Sequence, residues 1–263
     1  MNELQRIVAR TRGELAVRRA AAPVSQLEAE AAARAAADPP RPFAAALARP
    51  GLSVIAEHKR RSPSAGTIRE DLEIEEVVGA YERGGAAALS VLTEQVGFGG
   101  TLDDLRRARA AATLPILRKD FVVDPYQVIE SMAAGADAIL LIVAALEPDE
   151  LAALYARAQG FGLGVLVEVH DARELSRAAQ LRPEVIGINN RDLTTLQVDT
   201  ERTHELLGGV PAGTTVVSES GLRTRADLER LAAAGVDAVL VGEALMRSPH
   251  VEAACRELAG RLV

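Results

Sequence analysis

The chain has 263 residues, 48% of them apolar, and a formal net charge of −7 with no aromatic-rich basic cluster, which fits one large α/β barrel or two small domains and excludes a nucleic-acid binder. The lone Cys255 excludes an intramolecular disulfide and any cysteine-based metal site, and reads as a small helix hydrophobe; the four histidines lack metal-ligand spacing. The longest apolar run, 138–146, is about half the roughly 20 residues that a membrane-spanning helix needs.

Residues 1–50 are rich in Ala, Arg and Glu and break at Asp38-Pro39-Pro40-Arg41-Pro42. Positive charge without an apolar core is not a secretory signal, and Glu3 and Glu14 favour a helix over a transit peptide. A cytoplasmic location is the expectation. So are one or two N-terminal helices, then a short helix, Phe43–Ala48, leading into the first strand. Such an extension either caps a barrel or partly covers its mouth.

From about residue 52, short apolar runs alternate with helical segments. The runs are Ser53–Ala56, Ala88–Leu92, Pro115–Leu117, Ala138–Ile142, Gly164–Val167, Val185–Ile188, Thr215–Val217 and Ala238–Val241. Continuous apolar strands belong to a parallel sheet covered on both faces. Helices are expected over Asp71–Arg83, from Asp124-Pro125 to Gly135, from Glu147-Pro148, over Asp171–Gln180, Thr200–Leu207 and Thr224–Ala234, and from near Pro249. Thr224 with Asp227 resembles a capping box. The octapeptide beginning Ala134-Gly135-Ala136-Asp137 recurs as the one beginning Ala234-Gly235-Val236-Asp237, and Gly84-Gly85-Ala86-Ala87 is a weaker copy. Each is a helix C-cap glycine, a turn and a strand. Eight such αβ units predict a (β/α)8 TIM barrel, α/β in class, with residues 1–50 as a helical extension of a single barrel domain at 51–263. A doubly wound open sheet is the alternative; the count of eight and the missing Gly-x-Gly-x-x-Gly argue against it.

The active site of such a barrel lies at the C-terminal strand ends. Those ends carry Glu57-His58-Lys59, Thr93-Glu94, Lys119-Asp120, Glu168, Asn189-Asn190-Arg191-Asp192, Glu219-Ser220-Gly221 and Gly242-Glu243, while strand four ends apolar. Side chains two apart share a strand face. Glu57 and Lys59 therefore point together, as do Asn189 and Arg191, with His58 and Asn190 pointing away. Of thirty Lys and Arg residues only Lys59 and Lys119 are lysines, and both follow apolar runs. An ammonium can lose its proton when burial lowers its pKa, whereas guanidinium stays charged, so both are candidates for chemistry. Codon bias explains the scarcity of lysine but not these positions. A structural ion-pair network explains one charged strand end well, but two lysines and three glutamates at four ends poorly.

A phosphate is suggested separately. Loops after strands seven and eight commonly bind it through backbone N–H groups, and Ser218-Glu219-Ser220-Gly221 and Val241-Gly242-Glu243-Ala244 stand there. Ser62-Pro63-Ser64-Ala65-Gly66 adds hydroxyls after strand one. Phe98 and Phe121, in the loops after strands two and three, would suit a flat apolar group or simply pack those loops.

These stretches resemble the indole-3-glycerol phosphate synthase family: IAEHKRRSPSAG (55–66), SVLTEQVGFGGTLDDL (90–105), PILRKDFVVDPYQ (115–127), ADAILLIVAAL (136–146), VLVEVHD (165–171), IGINNRDL (186–193), SESGL (218–222) and VGEALM (241–246). The resemblance implies ring closure, decarboxylation and dehydration of 1-(2-carboxyphenylamino)-1-deoxyribulose 5-phosphate to indole-3-glycerol phosphate, in tryptophan biosynthesis. It implies Lys119 as general acid, Glu168 as general base, and Lys59 as carboxylate holder with a second proton-transfer role left open. Glu57 and Asn189 would orient these groups and bind hydroxyls, Arg191 would hold the anthranilate part, and Phe98 and Phe121 would line the ring slot. Glu219 and Ser220 would sit at the ribulose–phosphate end, with Ser62, Gly221, Gly242 and Glu243 on the phosphate. The resemblance implies no cofactor and no metal, and the expected partner is the small-molecule substrate alone, with no nucleic acid or membrane. A monomer or weak homodimer is expected. Two departures from the family pattern are His58, where an apolar residue is usual, and Ser218, where Ala is common.

Other readings are a phosphoribosylanthranilate isomerase, which uses a Cys at the first strand where this chain has none, and a Schiff-base aldolase, whose lysine near strand six is missing. A non-catalytic phosphate-binding barrel would not need every acid, base and carboxylate-binding position filled.

Overall fold

The computed structural model describes residues 2–260. Eight parallel strands close into a barrel: β1 Ser53–His58, β2 Ala88–Leu92, β3 Ile116–Lys119, β4 Ala138–Ile142, β5 Gly164–Val169, β6 Val185–Asn189, β7 Thr215–Glu219 and β8 Ala238–Val241. Closure is made by β1 against β8, with Ser53 opposite Ala238 and Ala56 opposite Val241. All eight expected strands are present, and β1, β3, β5, β6 and β7 run one or two residues further toward the mouth than expected.

Strand alternation sorts the core. Ile55, Leu117, Leu140, Leu166, Val217 and Leu240 pack together, as inward-pointing side chains of a filled barrel do. Val54, Leu89, Val91 and Ile116 join the cluster beneath the outer helices. Two residues further along the inward rows stand Glu57, Lys119, Glu168 and Glu219. These charged groups are thus the top layer of the barrel interior, where the apolar rows end.

The expected N-terminal helices are α1 Glu3–Ala21, α2 Val24–Ala37 and α3 Phe43–Leu47. Together they hold both ends of the barrel. Phe43 and Leu47 are buried in the interior cluster, and Phe43 packs closely on Gly164, where a Cβ would lie 3.1 Å from it. Leu4 and Ile7 of α1 join the same cluster with Ile142 and Phe121, at the mouth. The outer helices are α4 Ile74–Arg83, α5 Gln95–Phe98, α6 Leu102–Ala111, α7 Pro125–Ala134, α8 Pro148–Gly160, α9 Ala172–Ala179, α10 Glu201–Leu207, α11 Arg225–Ala234, α12 Glu243–Arg247 and α13 Val251–Ala259. Cys255 is buried on α13, as expected of a helix hydrophobe. No helix among the described residues is long and apolar enough to cross a membrane.

The internal echo is a structural device. Asp137 Oδ2 accepts from the Ile116 N–H at 2.8 Å, and Asp237 Oδ2 accepts from the Val216 N–H at 2.8 Å. Each aspartate precedes its strand and ties down the start of the strand before it. The weaker copy has Ala87 at this position and lacks the tie. Thr224 and Asp227 form the expected capping box.

Helices α5, α6 and α12 were not anticipated, nor was the ribbon pairing Arg61–Ser62 with Gly66–Thr67. The buried face of α6 is only Leu105 and Ala108 with the capping Asp104, so its apolar stripe is short and interrupted by a charge. Helix α4 starts at Ile74 rather than Asp71, because Glu73 and Glu76 form its capping box.

His58 points away from the mouth, as alternation requires. It is buried, its Nε2 makes no hydrogen bond, and burial pushes its pKa down to about 4. The folded state therefore keeps it neutral while the unfolded chain takes up a proton near pH 6.5. Stability from this source is full above about pH 6.5 and is lost as pH falls toward 4. His58→Val should remove about 2 kcal/mol of the stability loss between pH 7 and 4.5. Urea midpoints of both proteins across that range check this, and parallel pH dependences would contradict it.

Candidate active site

A cavity of about 350 Å³ opens at the C-terminal ends of the strands. Every residue singled out from the sequence lines it: Glu57, Lys59, Ser62, Phe98, Lys119, Phe121, Glu168, Asn189, Arg191, Glu219, Ser220, Gly221, Gly242 and Glu243. The apolar end of β4 contributes Ile142, and α1 adds Leu4 and Ile7.

Two lysine–carboxylate groups organise the floor. Lys119 Nζ lies 3.1 Å from Glu168 Oε2 and 3.0 Å from Glu219 Oε2. Lys59 Nζ lies 2.9 Å from Glu57 Oε1, and Ser90 Oγ donates to Glu57 Oε2 at 3.3 Å. The expectation that burial would loosen a lysine proton is corrected for Lys119. Burial does act downward, but the charges of Glu168 and Glu219 outweigh it, and the pKa of Lys119 is raised. Burial would raise Glu168, yet Lys119 and then His170 hold it well below the usual carboxylate range. Glu219 moves the other way: burial raises it, Lys119 only partly offsets that, and the nearby charge of Glu168 adds to the rise. Two similar carboxylates on one lysine thus divide into an ionised one and one that holds a proton more readily.

Glycines make room for these acids. A Cβ on Gly187 in β6 would collide with Glu219 Oε1, and one on Gly242 would come within 2.6 Å of Glu57 Oε1. A glycine inside a strand marks such close approach, so Gly187 was readable in IGINN but was not singled out. Ser220 and Gly221 both have positive φ, 69° and 81°, which turns the chain sharply after β7. Gly242 is the N-cap of α12 and has no side chain to cap it, so the first N–H groups of α12 face the cavity rim. The carboxylate of Glu243 is turned to Arg247 at 3.0 Å, leaving its backbone N–H as the group that can meet an anion.

The rim is anchored from several elements. Asn189 Oδ1 accepts from the Arg191 N–H at 3.0 Å, and Arg191 Nη1 donates to Leu196 O at 2.9 Å. Phe98 and Phe121 have ring centroids 6.5 Å apart and inclined at 40°. Glu94 caps the turn that carries Phe98, and Arg10 of α1 pairs with it at 2.5 Å. Asn190 faces outward as expected; its Nδ2 donates to Ser218 Oγ at 3.2 Å and its Oδ1 accepts from Thr203 Oγ1 at 2.8 Å. The extra hydroxyl of Ser218 is thereby used.

A model of the indole-3-glycerol phosphate synthase family matches residues 4–258 of this chain. The chain belongs to the indole-3-glycerol phosphate synthase family. It is 54% identical over 226 residues to indole-3-glycerol phosphate synthase 2 of Streptomyces coelicolor, covering 86% of this chain and 88% of that one. It is 50% identical over 261 residues to indole-3-glycerol phosphate synthase of Rhizorhabdus wittichii, with 98% of each chain covered. Among solved structures, a tryptophan synthase α-subunit variant from Pyrococcus furiosus superposes with a TM-score of 0.60 at 14% identity, over 80% of this chain and 98% of that one. A thiamine phosphate pyrophosphorylase from the same organism gives 0.59 at 19% identity, over 79% and 93%. These two show the barrel fold alone. The activity is indole-3-glycerol phosphate synthesis, a carboxy-lyase reaction of tryptophan biosynthesis.

Within this synthase, three features of the site were not read from the sequence. His170 Nε2 lies 3.3 Å from Glu168 Oε1, although its place two residues after Glu168 put it on the same face. Leu4 and Ile7 join the lining from a helix that had looked merely charged. Behind Lys119, Arg118 is fully buried among Asp120, Glu130 and Thr93.

Proposed function

We propose that Lys119 and Glu168 are the acid and base of the synthase reaction on 1-(2-carboxyphenylamino)-1-deoxyribulose 5-phosphate. The observation that carries this is the buried ammonium of Lys119 shared between Glu168 and Glu219 at 3.1 and 3.0 Å. A raised pKa keeps Lys119 protonated, and a lowered one keeps Glu168 ionised, so each starts in the state its role needs. A ketone oxygen that displaces Glu219 from Nζ removes one of the two charges holding the proton, which frees it for transfer.

Ring closure joins the carboxylate-bearing aryl carbon to the ketone carbon while the ketone oxygen takes a proton from Lys119. Carbon dioxide then leaves and its bonding electrons restore the aromatic ring. The new hydroxyl takes a second proton from one of the two site lysines and departs as water, while Glu168 accepts the proton released as the pyrrole double bond forms. Lys59 holds the substrate carboxylate, with Glu57 and Asn189 orienting it and the sugar hydroxyls. Arg191 supports the anthranilate part, and Phe98 and Phe121 flank the ring. Glu219 and Ser220 meet the ribulose–phosphate end. Ser62, Gly221, Gly242 and Glu243 hold the phosphate, mainly through backbone N–H groups.

The same reading takes the chain as one barrel domain, 51–263, with residues 1–50 as its extension, working in the cytoplasm as a monomer or weak homodimer. The exposed large hydrophobics among the described residues, Val17, Val24, Val96 and Val198, are scattered along the chain, which favours weak self-association over an obligate apolar interface.

Lys59→Arg tests the division between the lysines. If Lys59 holds a carboxylate, KM should rise about tenfold with kcat within about threefold of the parent. Steady-state kinetics followed by indole fluorescence measures both. A large fall in kcat at unchanged KM would move Lys59 from binding to chemistry.

A further inference from the structure

The roles given above leave one buried titratable group at the site unused. His170 follows β5 two residues after Glu168 and reaches the same carboxylate. Its buried Nε2 makes no hydrogen bond, and Glu168 Oε1 is the charged oxygen within reach at 3.3 Å. On the other side of the ring, Nδ1 lies 3.0 Å from Glu174 Oε2, which also accepts the His170 backbone N–H at 2.8 Å. Glu174 stands in the first turn of α9, where Asp171 caps the helix by accepting from the Glu174 N–H at 2.8 Å. The imidazole is therefore fixed at Nδ1 and at its own backbone, with Nε2 turned toward Glu168.

The two oxygens of Glu168 are divided between two cations. Lys119 takes Oε2 at 3.1 Å and His170 faces Oε1. The other charged groups facing this arrangement are Glu219 and Glu57 across the barrel floor, and Arg12, Asp171, Asp192 and Arg202 around the outer pocket that His170 and Glu174 help to line. Burial acts to lower the His170 pKa, but Glu168 and Glu174 outweigh it and raise it to about 10. The ring is thus a fixed imidazolium between two carboxylates.

We propose that His170, held by Glu174, is a positioning residue that orients Glu168 and keeps it ionised for its work as base. This rests on the assignment of Glu168 as that base. Lys119 alone cannot keep Glu168 ionised through a turnover in which it gives up its own proton. At that stage His170 is the cation that remains beside Glu168. His170 touches the carboxylate on the side away from Lys119, so its effect passes through Glu168.

The test is the pH profile of kcat/KM for the full chain, with indole fluorescence as readout, in His170→Asn, His170→Gln, Glu174→Gln and Glu168→Gln. Losing the imidazolium raises the Glu168 pKa, so the acid limb should move up by about one pH unit in His170→Asn, with kcat about tenfold lower and KM little changed. Glu174→Gln should move the limb the same way by less. His170→Gln keeps a donor without the charge, so it should recover part of kcat while the limb stays shifted. A merely structural histidine would lower stability and leave the limb in place. An unmoved limb in both His170→Gln and Glu174→Gln, with Glu168→Gln inactive, overturns the inference and leaves the base assignment standing. Near-parental turnover in Glu168→Gln removes the base assignment, and this inference with it.

Discussion

Lys119→Arg should fold like the parent and lose about a thousandfold in kcat, because a guanidinium is a poor proton donor while general acid catalysis contributes roughly 10²–10⁴. The substitution keeps a positive charge between Glu168 and Glu219, which lie 3.1 and 3.0 Å from the native ammonium. Electrostatic binding is thereby largely preserved, and the proton is what is withdrawn. KM should change by less than about fivefold if substrate binding does not depend on transfer. Thermal unfolding beside steady-state kinetics separates the two effects. Near-parental turnover would show that Lys119 acts as a charge only, and the acid would have to be sought at Lys59 or Glu219.

The second large effect is expected one residue earlier. Arg118 is fully buried and points away from the cavity into a network behind β3. Its guanidinium donates to Asp120 Oδ2 at 2.7 Å, Thr93 Oγ1 at 3.0 Å and Ser131 Oγ at 2.9 Å, and pairs with Glu130 at 2.9 Å. Glu130 also pairs with Arg18 of α1, and Tyr126 donates to the Arg18 carbonyl at 2.9 Å. The network therefore ties the extension to the strand that carries Lys119. Removing the cation leaves Asp120 buried with its charge uncompensated. Arg118→Leu should cost about 3–5 kcal/mol, the range for breaking a buried ion pair from one side. Denaturant unfolding measures it, and a loss under about 1 kcal/mol would mean that the network relaxes or takes up water.

How far the sequence could be read follows from what each feature depends on. The barrel strands were legible because each is a short continuous apolar run ended by a polar residue, and strand alternation then paired Glu57 with Lys59 and turned His58 and Asn190 outward. The echo around Asp137 and Asp237 was visible as a pattern, but its meaning lay in hydrogen bonds to strands 21 residues away. Helix α6 was missed because alanine and aspartate fill much of the face it buries. The raised pKa of Lys119 was missed for a different reason. Burial of a lone lysine lowers its pKa, and the sequence does not show that two carboxylates from β5 and β7 converge on it. The lining by Leu4 and Ile7 depends on how α1 crosses the mouth, which no local pattern encodes. His170 was legible by alternation, because it stands two residues after Glu168 and so shares its face.

The central claim is that one cavity at the strand ends places the ketone oxygen of the substrate at Lys119 and its phosphate at the turns after β7 and β8. A crystal structure of Glu168→Gln with 1-(2-carboxyphenylamino)-1-deoxyribulose 5-phosphate bound tests it most directly. The account predicts the aryl ring beside Phe98 and Phe121, the ketone oxygen about 3 Å from Lys119 Nζ, and the phosphate on the backbone of Gly221, Gly242 and Glu243. A substrate bound with its ketone away from Lys119, or its phosphate elsewhere, would contradict it.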